Sequence, residues 1–186
     1  MTQNQEINEK ERMQRLVELA KNRDANAFSL LYEMVYMDLY RMALYTLGNP
    51  HDAEDIVSET VLDAYVSIGK LKDDTAFRGW IFRILSYKCK HKIREYVKAK
   101  ENLEFDGTDK LKKEMSPDKI DNLLDRQDIS RAFASISPEE RLIVTMVVYG
   151  GYNSREIASV LNKNRNTIRS KYKRALEKMQ KQLETD

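Results

Sequence analysis

The sequence predicts an all-α protein: two small helical domains joined by a flexible linker, the second containing two short helices set almost back to back. Apolar residues recur at three- and four-residue steps through most of the 186 residues, and no segment alternates as a half-buried strand would. The periodicity lapses once, past the middle. A third of the chain is charged, and its length suits one large core or two small ones.

The first helix with a clear start follows Asp24, a suitable N-cap. It carries Phe28, Leu31, Tyr32, Val35, Leu39, Met42 and Ala43 until Gly48 and Pro50 stop it. A second runs from about Asp52 to Ile68, with Ala53, Ile56, Val57, Val61, Ala64, Tyr65 and Ile68 on one face, and ends at Gly69. A third starts after Thr75 and continues to about Val97. Its first half has Phe77, Trp80, Ile81, Ile84 and Leu85 on an apolar stripe, which assigns Trp80 and Phe77 to the core and Phe82, off the stripe, to the surface. Its second half turns basic, with Lys88, Lys90, His91, Lys92, Arg94 and Lys98.

The mixed-charge stretch KAKENLEFDGTDKLKKEMS lacks the apolar content to order itself, so residues 1–98 form one domain, 99–116 a linker and 117–186 a second domain. Ser116 and Pro117 open a helix containing Ile120, Leu123, Leu124, Ile129 and Phe133. The next starts at SPEE, where Ser137 caps and Glu140 reaches back to the cap amide. It carries Leu142, Ile143, Met146, Val147 and Tyr149 before Gly150 and Gly151.

Composition excludes several classes. One cysteine, Cys89, permits no internal disulfide, and His51 and His91 are too far apart for a recognisable metal spacing, so no metal or cofactor is expected. The N-terminus lacks an apolar signal core and no run approaches the roughly 20 apolar residues of a membrane span. A cytoplasmic protein without membrane insertion is expected. No glycine-rich phosphate loop supports an enzyme, and the carboxylates are scattered over helix faces.

In the stretch NSREIASVLNKNRNTIRSKYKRAL, Asn153 and Glu156 form a capping box for a short helix with Ile157, Ala158, Val160 and Leu161 inward. Asn162 tolerates the left-handed turn that follows. Asn164 caps a second helix with Ile168, Tyr172, Ala175, Leu176 and Met179 inward. Helix, tight turn and helix is the arrangement that places a second helix in the major groove. Its outer face holds Arg165, Asn166, Arg169, Ser170, Lys173 and Arg174, flanked by Lys163 and Lys171. Arginine pairs with guanine, asparagine with adenine, and lysine with phosphate. A basic helix alone is better explained as a solvated surface; the preceding helix, small Ala158, tight turn and local charge together favour DNA.

In the first unit, DAEDIVSETVLDAY (residues 52–65) lines Asp52, Asp55, Glu59 and Asp63 along one side of a helix, a stripe suited to a basic protein partner or simply to solvent. FRGWIFRI (residues 77–84) sets aromatics just before the basic run, the combination that holds single-stranded nucleic acid.

These motifs, their order and the final SPEERLIVTMVVYGGYNSREIASVLNKNRNTIRSKYKRAL resemble the bacterial extracytoplasmic-function (ECF) sigma factors of the sigma-70 family over nearly the whole chain. The resemblance implies a sigma factor whose partners are core RNA polymerase, promoter DNA and an anti-sigma factor. It implies core-polymerase contacts at Asp52, Asp55, Ile56, Glu59 and Asp63, and minus-ten contacts at Lys70, Lys72, Thr75, Arg83, Tyr87, Lys88, His91, Lys92 and Arg94. Minus-thirty-five contacts are implied at Arg165, Asn166, Thr167, Arg169, Ser170, Lys171, Lys173 and Arg174. The chain departs from the family pattern at Tyr87, usually Asn, and at His91, often Asp. Asn162 replaces a turn glycine, Lys163 an apolar turn residue, and Asn166 a small glycine.

A linker of roughly 20 residues could extend about 65 Å, nearly two turns of duplex at about 34 Å each. The rival reading, a helix-turn-helix transcriptional regulator of the response-regulator effector type, explains only residues 137–176 and leaves the acidic and aromatic-basic helices without a role.

Overall fold

The computed structural model describes residues 3–106 and 127–184. The helix proposed to start at Ser116 lies mostly outside them, and so does the second half of the proposed linker.

Four helices build the first unit: α1 (Gln3–Lys21), α2 (Ala25–Leu47), α3 (Pro50–Ser67) and α4 (Phe77–Asp106), with two short 3-10 turns at Ile68–Lys70 and Asp74–Ala76. The starts are fixed by side chains that satisfy the free amides of the first turn. Asp24 accepts from the Ala27 amide at 3.0 Å, and Asn49 accepts from His51 at 3.0 Å and Asp52 at 3.4 Å. Gly48 ends α2 at φ 70°, where its amide returns to the Leu44 carbonyl at 2.8 Å. The sequence reading passed over α1, whose Leu16, Val17 and Ala20 are buried against the core. A Lys21–Asp74 ion pair of 2.8 Å ties its end to the second 3-10 turn.

Helix α4 continues to Asp106, eight residues beyond the expected boundary at Lys98. Those residues are mostly strong helix formers, with no glycine or proline before Gly107, so the helix propagates through them. Trp80 is half-buried against the core and Phe77 wholly buried, but Phe82, expected at the surface, is 0% exposed. The reason is that α4 packs on α2 and α3 and also on the second unit, which widens its buried face beyond one stripe.

The second unit comprises α5 (Gln127–Ala134), α6 (Pro138–Val148), α7 (Ser154–Leu161) and α8 (Arg165–Leu183). Both capping boxes form, Ser137 with Glu140 and Asn153 with Glu156. Asn162 adopts φ 54°, ψ 52°, the left-handed turn that reverses the chain into α8. Ile168 and Ala175 are buried, with Tyr172 and Met179 partly so; Leu176 lies beside that seam and is 40% exposed, not inward as expected.

The two units share one continuous core, with α2 lying against α1, α3, α4 and α6. Across the seam the Thr46 and Thr145 hydroxyls meet at 2.7 Å with both residues 0% exposed, and the Tyr45 ring stacks on Phe133 at 4.5 Å. Two helix faces that would leave apolar surface in water thereby cover each other.

Candidate functional site

Helix α8 presents a clean outer face. Arg165, Asn166, Thr167, Arg169, Ser170, Lys173 and Arg174 are all exposed, while Ile168 and Ala175 anchor the opposite side. Several of these side chains are already positioned by local bonds. Arg165 Nε donates to Ser154 Oγ at 3.1 Å, Ser170 Oγ to the Asn166 carbonyl at 2.9 Å, and Arg174 Nε to the Ser170 carbonyl at 3.2 Å.

The flanking lysines behave differently. Lys163 and Lys171 both pair with Glu139 of α6, at 3.3 and 2.9 Å, so their charge is partly committed before any phosphate arrives. Burial opposes ionisation of Glu139, but the two lysines outweigh it and hold its carboxyl below the usual range. The sequence reading missed Glu139, because the pairing joins residues 32 apart.

On α4 the basic residues divide between two faces. Arg83, Tyr87, His91 and Arg94, spaced about one helical turn apart, are exposed along one side. The Arg83 guanidinium lies 5.9 Å from the Tyr87 ring centre, and His91 Nδ1 is 3.2 Å from Glu95. Lys70 and Lys72 are exposed in the loop before the helix. Thr75 is exposed too, its amide and hydroxyl bonded to Asp73 at 2.9 and 2.7 Å. Those bonds hold the Asp73 carboxyl below its usual range.

Lys88 and Lys92, expected at the minus-ten element, both turn toward α3. Lys88 lies 3.1 Å from Glu59 and 2.8 Å from Asp63, and Lys92 lies 3.1 Å from Asp52. Burial pulls the Lys88 pKa down, but the carboxylate bonds reverse this and raise it; the bond to Asp52 raises that of Lys92. Asp52 also accepts a 2.6 Å hydrogen bond from Tyr96, so it belongs to the α3–α4 seam. Ile56, expected at the polymerase contact, is 7% exposed and packs in the core. Asp55 is exposed, and Glu59 and Asp63 keep more than half of their side-chain surface in water beside exposed Leu62 and Val66. The outward part of the stripe is therefore mixed acidic and apolar.

The family model for Sigma-70 region 2 matches residues 31–98, and that for Sigma-70 region 4 matches residues 126–179. A curated relative, the ECF RNA polymerase sigma factor SigL of Mycobacterium tuberculosis, is 30% identical over 152 residues, covering 80% of this chain and 84% of SigL. The chain belongs to the ECF group of the sigma-70 family. This sigma factor is also 26% identical to the RNA polymerase sigma-H factor of Pseudomonas aeruginosa over 184 residues, 94% of this chain and 95% of that one.

Among solved structures it superposes on CnrH in complex with the cytosolic domain of CnrY, at TM-score 0.63 and 19% identity over 94% and 99% of the two chains. A second match is the sigma factor RpoE of Bartonella quintana in complex with the anti-sigma factor NepR. It has TM-score 0.63 and 21% identity over 86% and 98%. These two superpositions carry the fold. The protein is an RNA polymerase sigma factor, a transcription initiation factor that acts with core RNA polymerase. Among the described residues no helix is long and apolar enough to cross a membrane.

Proposed function

We propose that residues 1–98 bind core polymerase and the minus-ten element, that residues 117–186 read the minus-thirty-five element, and that the chain itself catalyses no reaction. The observation that carries this is the order of the two family matches together with the outward face of α8, where arginine and asparagine are exposed at the groove-entering end. Arg169 and Arg174 read bases, Arg165 and Asn166 enter the groove, and Thr167, Ser170 and Lys173 fix its position on the backbone.

In the first unit, the outward carboxylates Asp55, Glu59 and Asp63, with Leu62 and Val66 beside them, dock on polymerase. Arg83, Tyr87, His91 and Arg94, with Lys70, Lys72 and Thr75 in the preceding loop, receive unpaired bases and their phosphates. Asp52, Lys88 and Lys92 hold α3 and α4 in register beneath these surfaces. Tyr87 and His91 set a base preference of their own. An anti-sigma factor regulates the chain, a reading supported by the RpoE–NepR complex as a structural neighbour. All of these partners place its action in the cytoplasm.

The test is binding of holoenzyme to a library of minus-thirty-five variants. Arg169→Ala is expected to cost about 1–3 kcal/mol at one promoter position and relax the preference there. A uniform loss across the library would show that α8 grips DNA without reading it.

A further inference from the structure

Helix α1 ends before residues 31–98, the stretch matched by the region 2 family model, yet it packs against α2 and against both 3-10 turns that frame the Lys70–Thr75 loop. The charge of that loop is unexpected for its role. Asp73 and Asp74 set two carboxylates between Lys72 and Thr75, where like charge would repel the phosphates of an unpaired strand.

Both carboxylates are occupied. Asp73 accepts the Thr75 amide at 2.9 Å and the Thr75 hydroxyl at 2.7 Å, which caps the second 3-10 turn from within. The hydroxyl bond first, and then the amide, hold its carboxyl below the usual range, and the Lys10 ammonium of α1 adds to them. Asp74 reaches out of the loop instead: its Oδ1 lies 2.8 Å from Lys21 Nζ, a contact between residues 53 apart. The Lys21 and Asp74 side chains are 28% and 33% exposed, so the pair is screened less than one lying open on the surface.

The geometry makes this pair a brace. Leu71 and Phe77 are buried at the two ends of the stretch, but residues 72–76 bury no side chain between them. Lys21 stands on a firm base. Val17, one turn earlier, and neighbouring Ala20 are both buried, which anchors the last turn of α1 on the core. Just beyond, Arg23 takes φ 70°, a left-handed conformation that a long side chain adopts only where its surroundings hold it, and the Asp24 amide returns to the Leu19 carbonyl at 3.2 Å. The turn fixes where α1 stops and so where Lys21 meets the loop.

We propose that Lys21 is a positioning residue for minus-ten recognition: from the end of α1 it braces the Lys70–Thr75 loop through Asp74 and holds that carboxylate away from the unpaired strand. This inference rests on the functional reading of the loop given above. A braced loop is already ordered when a base arrives, whereas a freed one must be ordered at that moment.

The test uses holoenzyme, core polymerase with the full-length chain, on promoter duplexes with randomised minus-ten positions. Lys21→Ala should bind core polymerase as wild type does, form open complexes about threefold to fivefold more slowly, the effect of losing one part-buried ion pair, and select less sharply at one minus-ten position. Lys21→Arg, which keeps the charge on a long stem, should recover most of both losses. Asp74→Ala reads the same contact from the loop if Lys21→Ala fails to fold. The double variant should be no slower than either single one, as two groups acting through one contact require.

Single variants that open and select promoters as wild type does, losses that add in the double variant, or a uniform slowing with base preference unchanged overturn the proposal. Combined Lys70→Ala, Lys72→Ala and Thr75→Ala tests the reading beneath it: if that chain opens and selects promoters normally, the loop does not hold the strand and the functional reading of it falls instead.

Discussion

Replacing Asp52 by alanine removes one carboxylate that serves two partners on α4. Asp52 accepts the Tyr96 hydroxyl at 2.6 Å and faces Lys92 at 3.1 Å, and its side chain is only 20% exposed. A hydrogen bond to a charged group contributes about 1.5–3 kcal/mol. The partly exposed lysine pair adds about 0.5–1 kcal/mol once solvent screening is allowed for. A loss of about 3 kcal/mol at about 2–4 °C per kcal/mol for a chain of this size lowers the melting temperature by about 6–12 °C. Asp52→Asn keeps an acceptor for the phenol and should recover roughly half of that.

The assay is thermal melting by circular dichroism with a spectrophotometric tyrosine titration. Burial first, and then the bond to Asp52, raise the Tyr96 pKa above the usual value, so the alanine variant should titrate one tyrosine at lower pH. Well below its melting point the variant should still bind core polymerase, because Asp52 acts inside the α3–α4 seam. A melting temperature within a degree of wild type with an unchanged titration would refute the reasoning; weakened polymerase binding at full stability would return Asp52 to the docking surface.

Glu139→Gln releases Lys163 and Lys171 beside α8, so the salt dependence of holoenzyme binding should steepen by about one to two units of log slope, at about 0.9 per phosphate neutralised. An unchanged slope means the lysines are not within reach of the duplex. Because the Glu139 and Glu140 carboxyls are held below the usual 4.5, the stability they confer is present above that value and lost as the pH falls through their lowered pKa values, which acid melting curves of Glu139→Gln against wild type will register. At the alkaline end, burial pushes Tyr149 and Tyr152 from the usual 10 up to about 12, so the stability of the seam should be intact below pH 10 and decline between 10 and 12. Tyr152→Phe should flatten that decline. Combined Arg83→Ala and Arg94→Ala should preserve polymerase binding but weaken the permanganate footprint of unpaired thymines, whereas a normal footprint would move the strand-holding surface to the Lys70–Thr75 loop.

What could be read from sequence is what is encoded within a few residues. Asn153 with Glu156, Ser137 with Glu140, Asp24, and the left-handed Asn162 declare themselves because a cap or turn needs particular side chains at fixed offsets. The outer face of α8 was legible for the same reason: helical spacing alone separates Arg169 and Arg174 from Ile168 and Ala175. Contacts made by distant parts of the chain were not. Phe82 looked exposed because its covering comes from a second packing direction, and Lys88 and Lys92 looked free because their carboxylates sit on α3. Tyr96 with Asp52 and Thr46 with Thr145 join residues 44 and 99 apart, beyond any periodicity argument. Helix α1 escaped notice because, among its described side chains, burial is confined to the later turns.

The central claim is that one chain, added to core polymerase, selects promoters through two surfaces on separate units. Transcription of genomic fragments by purified core polymerase, with and without this protein, tests it most directly. The account predicts initiation at defined start sites only when the protein is present, and loss of those starts with combined Arg169→Ala and Arg174→Ala. Starts that are equally abundant without the protein, or that survive the double substitution at unchanged promoters, would contradict it.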